Sequence, residues 1–121
     1  MKGKFRKLEV WQEAMILAVQ SRDVYKVLQE SRDFGLADQL TRAVNSVPAN
    51  IAEGAECGSD PQFRRYLNIA IASIAEFRTH LELSYHFDAI QHDQFQKLDD
   101  QAARVVAKLY GLKKYLTSQI T

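Results

Sequence analysis

Apolar residues recur at spacings of three and four through most of the chain, and no stretch sustains the alternation of a half-buried strand. The spacing predicts four helices, over about residues 7–30, 34–54, 60–87 and 92–118. The first carries Val10, Ala14, Leu17, Val24 and Leu28 on one stripe and Trp11, Met15, Ala18 and Tyr25 on a second beside it, so its apolar arc is wider than one core needs. The second helix uses Leu36, Leu40, Ala43, Val47 and Ile51, with Pro48 predicting a kink and Gly54 suited to a left-handed C-terminal cap. Ser59 with Gln62, and Pro61 between them, mark the start of the third helix, whose seam runs Phe63, Leu67, Ala70, Ile74, Phe77 and Leu81. The fourth repeats the pattern with Phe95, Leu98, Ala102, Val105, Leu109, Leu112 and Leu116.

Connections this short make neighbouring helices antiparallel. The expectation is one all-α domain over residues 1–121, an antiparallel up-down-up-down four-helix bundle, left-handed. Its inner seams have no room for every aromatic side chain. Trp11, Tyr25, Tyr66, Tyr85, Phe87, Tyr110 and Tyr115 are left over in part, and aromatics gathered outside a core mark a contact surface. Trp11, Met15, Tyr25 and Tyr66 are the candidate oligomer interface.

Composition narrows the functions. One cysteine, Cys57, permits no internal disulfide and no thiolate zinc site, and fits a reducing cytoplasm. The basic start runs into Glu9 and Glu13 where a signal peptide would carry an apolar stretch, and no uncharged run approaches the roughly 20 residues of a membrane span. Sixteen basic against fifteen acidic residues leave a net charge of +1, so any nucleic-acid surface must be local. Lys2, Lys4, Arg6 and Lys7 at the start, and Arg64 with Arg65, are the candidate contacts; taken alone, they are more simply read as a solvated tail and an ordinary exposed pair.

Chemistry is sparse. None of His80, His86 and His92 follows a glutamate by three residues, so the di-iron pattern of helical bundles is missing. Glu76 and His80, one turn apart, are better read as a polar contact than as a metal site. No serine stands in a nucleophile elbow and Cys57 has no histidine nearby in sequence. We therefore expect no enzyme, no catalytic residue, no metal and no cofactor. One polar strip remains, Gln39, Arg42, Ser46, Asn50 and Glu53, at helical spacing with apolar or small residues on both flanks. It reads as a structural network completed by Glu76, with Glu53 or Glu76 neutralising Arg42; a ligand pocket anchored on Arg42, Asn50 and Glu53 is the alternative.

The run from Gln39-Leu40-Thr41-Arg42-Ala43 through Ser46 and Pro48 to Asn50-Ile51-Ala52-Glu53-Gly54 resembles the four helix bundle proteins encoded in intervening sequences of large-subunit ribosomal RNA genes. Phe5, Leu8 and Val10-Trp11 resemble that family's start, and Phe63, Leu67, Ala70, Ser73, Glu76 and Leu81 its third helix. The resemblance implies a homopentamer, kinship with the accessory protein of diversity-generating retroelements, and RNA or an RNA-processing protein as partner. It brings no catalytic residue.

Overall fold

The computed structural model describes residues 3–118. A short 3-10 turn, Lys4–Lys7, leads into α1 (Glu9–Gln20), α2 (Arg22–Glu30), α3 (Phe34–Glu56), α4 (Asp60–His86) and α5 (His92–Ser118), and the described residues contain no strand.

The first predicted helix is therefore two segments in line, divided at Ser21. Ser21 is buried, and both its backbone N–H and its hydroxyl donate to the Leu17 carbonyl, at 3.0 and 2.7 Å. A serine hydroxyl that competes for the carbonyl one turn back loosens a helix locally. The inward positions keep their rhythm across the break, with Val10, Ala14, Leu17, Ser21, Val24 and Leu28 all buried, so α1 and α2 form one arm.

The turns are set by caps. Arg32 and Asp88 take left-handed backbone angles (φ 65° and 62°), and Asp33 and Ala89 each donate back five residues, to Leu28 and Ser84, at 2.8 and 2.9 Å. These bonds satisfy carbonyls that the ends of α2 and α4 would otherwise orphan. The Asp33 side chain then accepts from the N–H of Leu36 at 3.3 Å and starts α3. Ser59 does the same for α4, accepting from Gln62 N–H at 3.4 Å.

Gly54 corrects the sequence reading. It is not the helix cap: α3 continues to Glu56, and Gly58, at φ 89°, is the left-handed residue. A methyl group on Gly54 would lie 2.8 Å from Phe63 Cδ1 and 2.8 Å from Tyr66 Cβ. The glycine is there because α3 and α4 approach too closely for a side chain. Pro48 lies within α3, which stays helical on both sides of it.

α3 is central, lying against α1, α2 and α4, while α5 lies against α4 and α1. Ser46 meets Ser73 and Gly54 meets Phe63 and Tyr66, so contacts step backward along α4 as they step forward along α3. Two adjacent helices do this only when antiparallel. Leu40, Val47 and Ile51 of α3 close on Leu67, Ile74, Phe77 and Leu81 of α4 and Leu98, Val105 and Leu109 of α5, all buried; Phe77 is the largest of them. No helix here is long and apolar enough to cross a membrane.

Candidate interaction surface

The second apolar stripe of the first arm opens onto α3 and forms one wall of a groove of about 560 Å³. Trp11, Met15, Ala18 and Val19 come from α1, and Pro48, Ala49 and Ala52 from α3; Arg22 and Asn45 are the polar groups lining it. The exposure is large for such residues: Met15 38%, Ile16 49% and Val19 68%. Apolar side chains that line a groove and continue onto the rim, with one cation among them, have the composition of a contact surface. The floor follows from sequence. Small residues at Ala49 and Ala52 and the bonded ring of Pro48 keep α3 low, while Trp11 and Met15 project beside it.

Of the four residues predicted as an interface, the structure brings Trp11 and Met15 together in this groove. Trp11 is braced by Phe5 of the N-terminal turn in an edge-on contact, ring centres 5.2 Å apart. Tyr25 is half-buried further along the arm, with the Arg22 guanidinium over its ring at 4.9 Å and its hydroxyl bonded to Gln29. Tyr66 is elsewhere, half-buried against Gly54.

The polar strip divides. Ser46 and Asn50 are half-buried and form a small network with Ser73: the two hydroxyls are 2.9 Å apart, and Asn50 Nδ2 donates to the Ser46 carbonyl at 2.8 Å and to its hydroxyl at 2.9 Å. Gln39, Arg42, Glu53 and Glu76 are exposed. Gln39, Arg42 and Glu76 border an open recess with Gly35 and Asp38, yet among the described residues no ion pair joins Arg42 to Glu53 or Glu76. The reason is position: Arg42 turns outward beside the Ser46–Ser73 contact, where water solvates it and burial never forces a pairing. Glu76 instead lies 3.7 Å from His80 of its own helix.

Three ion pairs, at two places, tie helices together. Arg78 of α4 donates from Nε and Nη2 to the two Asp99 carboxylate oxygens of α5, at 2.8 and 3.1 Å, which pushes the guanidinium above its already high pKa. Lys108 of α5 reaches Glu9 at 2.6 Å and Glu13 at 3.2 Å on α1.

Among the basic candidates, Lys4, Arg6, Lys7 and Arg65 are exposed and Arg64 is half-buried; Lys2 lies outside the described residues. Lys4 borders a recess with Ser59 and Phe63, which puts the basic turn and the start of α4 at one end of the molecule. No cluster of three or more histidine, cysteine or carboxylate groups is placed to hold a metal ion among the described residues.

The sequence model described as 23S rRNA-intervening sequence protein matches residues 6–111. The chain belongs to that family. Among solved structures it is similar to a protein of Bacteroides thetaiotaomicron VPI-5482, described as a protein with unknown function from the S23 ribosomal protein family. The two share 27% identity over 87% of this chain and 98% of that one, with a TM-score of 0.83. No match is found among curated proteins.

In this chain the groove between α1 and α3 is thus an apolar surface, and its α3 half is not evident from the sequence. Pro48 by itself predicts only a kink. The available signal was the spacing of Asn45, Pro48, Ala49 and Ala52, which form one stripe of α3 distinct from that of Ser46 and Asn50.

Proposed function

We propose that this chain is a non-catalytic scaffold that assembles with copies of itself, as a pentamer by family resemblance, and presents RNA or an RNA-processing protein in the cytoplasm. The observation that carries the reading is the groove between α1 and α3. Its apolar walls, with Arg22 and Asn45 as the polar groups, offer contact area and no nucleophile paired with a base. Leaving Met15, Ile16 and Val19 in water is unfavourable at roughly 25 cal/mol per Å² of apolar surface, and self-association removes that cost.

RNA association is supported by the family's name and by the exposed basic turn holding Lys4, Arg6 and Lys7. With a net charge of +1 a single copy offers few phosphate contacts, and a ring repeats the patch once per subunit.

Light scattering at micromolar concentration tests assembly: a mass several times 13.8 kDa is expected, and a monomer overturns the proposal. A binding titration with a large-subunit ribosomal RNA fragment at rising salt tests the RNA half. Phosphate contacts predict a steep fall in affinity, and no binding at low salt removes that half.

A further inference from the structure

The groove has a complement on the same molecule. The outward face of α4, away from Leu67, Ala70, Ile74, Phe77 and Leu81, carries Arg65, Ile69, Ala72 and Glu76, all exposed, and Leu83 two turns beyond. Ile69, at 46% exposure, and Leu83, at 37%, lie on the outer stripe of a helix whose core face is already full. The wall of the groove carries Trp11, Met15, Ala18 and Arg22. Both sets advance by four, three and four residues, the spacing of one helical stripe, and both place their last member about 16 Å from their first at about 1.5 Å per residue.

We infer that α4 of a second copy docks into the α1/α3 groove, parallel to the first arm, with Arg65 against Trp11, Ile69 against Met15, Ala72 against Ala18, and Glu76 paired to Arg22. This rests on the self-assembly proposed above and names the surfaces that carry it.

Each contact is chemically matched. A guanidinium is held by the face of an indole. The two apolar side chains fill each other's surroundings, and alanine facing alanine lets two helices come close. Arg22 is the cation in the groove and Glu76 the carboxylate in the corresponding place on the stripe, so the register that matches the apolar residues also matches the charges. A slip of one turn puts Arg65 on Met15 and separates the ion pair. In the free chain Glu76 has His80 at 3.7 Å, and Arg22 lies over the Tyr25 ring, so neither is held by a strong ion pair.

The groove is concave and the stripe convex, and they belong to different faces. A groove laid on its own copy about a two-fold axis would leave voids, whereas groove on stripe leaves one free groove and one free stripe at each step. Such a head-to-tail contact repeats until a ring closes. Docking commits Arg65 to the neighbouring copy and leaves Lys4, Arg6 and Lys7 as the basic groups for RNA.

Two experiments on the full chain decide it. Sedimentation of Arg22→Glu and Glu76→Arg, both at exposed sites, is expected to show self-association weakened about ten-fold or more in each, with the double variant restored to within about three-fold. Circular dichroism confirms that each stays helical. In a Cys57→Ser background, a chain with Met15→Cys mixed with a chain with Ile69→Cys is expected to give one disulfide-linked dimer containing one of each. An unchanged assembly in both single reversals, or Met15→Cys chains linking to each other, overturns this docking while leaving self-assembly standing. A monomeric natural chain overturns both.

Discussion

Ser46 of α3 and Ser73 of α4 face each other with their hydroxyl oxygens 2.9 Å apart, and Asn50 closes the group from one turn further on. A polar contact between two helices at the rim of an apolar seam fixes their relative slide without placing a charge in the core. Ser46→Ala, Ser73→Ala and the double variant are expected to show a coupling of about 0.5–1.5 kcal/mol in urea unfolding, the net worth of one such bond. Strictly additive losses would show that the two hydroxyls do not act as a pair.

Gly54→Ala sets two effects against each other. Alanine gains up to about 1 kcal/mol of helix propensity, but its methyl group meets Phe63 and, at 2.8 Å, the Cβ of Tyr66, which is fixed to the α4 backbone and cannot swing aside. Overpacking of this kind costs about 1–3 kcal/mol, so the clash wins. The melting temperature should fall by about 3–5 °C for each net kcal/mol lost. A rise would mean that α3 and α4 separate without penalty.

Arg32→Gly should stabilise the chain. Arg32 holds a left-handed backbone angle, which costs an L-residue about 1–2 kcal/mol; glycine recovers part of this after its own loss of chain freedom. The expected gain is about 0.5 kcal/mol by chemical denaturation, with a smaller gain at Asp88, since aspartate tolerates that conformation better.

Arg42→Met is expected to leave stability within about 0.5 kcal/mol of the parent, because Arg42 is exposed and makes no ion pair. A loss of several kcal/mol would restore the buried pairing that the sequence had suggested.

The Glu9–Lys108 contact predicts a shape for stability against pH. The hydrogen bond from Lys108, aided by its charge, lowers the Glu9 pKa from 4.5, and the bond to Glu9, with that to Glu13, raises Lys108 from 10.5. A depressed carboxylate stabilises above 4.5 and loses that contribution as pH falls through its folded value; a raised lysine stabilises below 10.5 and loses it as pH climbs through its own. Thermal melts of Lys108→Met should therefore differ from the parent most between the two limits and converge with it at both extremes. Glu9 is exposed and Lys108 is in reach of solvent, so the difference is small. A constant offset at every pH would assign the effect of Lys108 to its carbon stem.

The bundle was legible because its inward positions obey one rule, spacing by three and four, that needs no knowledge of neighbours. Trp11 and Met15 were legible for the same reason, as a second stripe on a helix that needed one. What escaped depends on which side of a helix faces which partner. Ser73 is paired with Ser46, 27 positions away, and Gly54 has the spacing of a cap although its neighbours are Phe63 and Tyr66, 9 and 12 positions away. Arg42 carried a charge whose partner could be guessed only by assuming burial, and the helix rotates it into solvent.

The break at Ser21 divides the first arm into unequal halves. α1 is gripped from two sides, by α3 and α5, whereas α2 leans chiefly on α3 and contributes two buried apolar anchors, Val24 and Leu28. A segment fastened along one seam can lift like a flap while the rest of the bundle stays closed, so amide protons of residues 22–30 should exchange with deuterium ahead of those in α1. Arg22 stands at the root of that flap. A partner seated in the groove beside it is then expected to slow that exchange, so the amides of residues 22–30 would report whether the groove is filled.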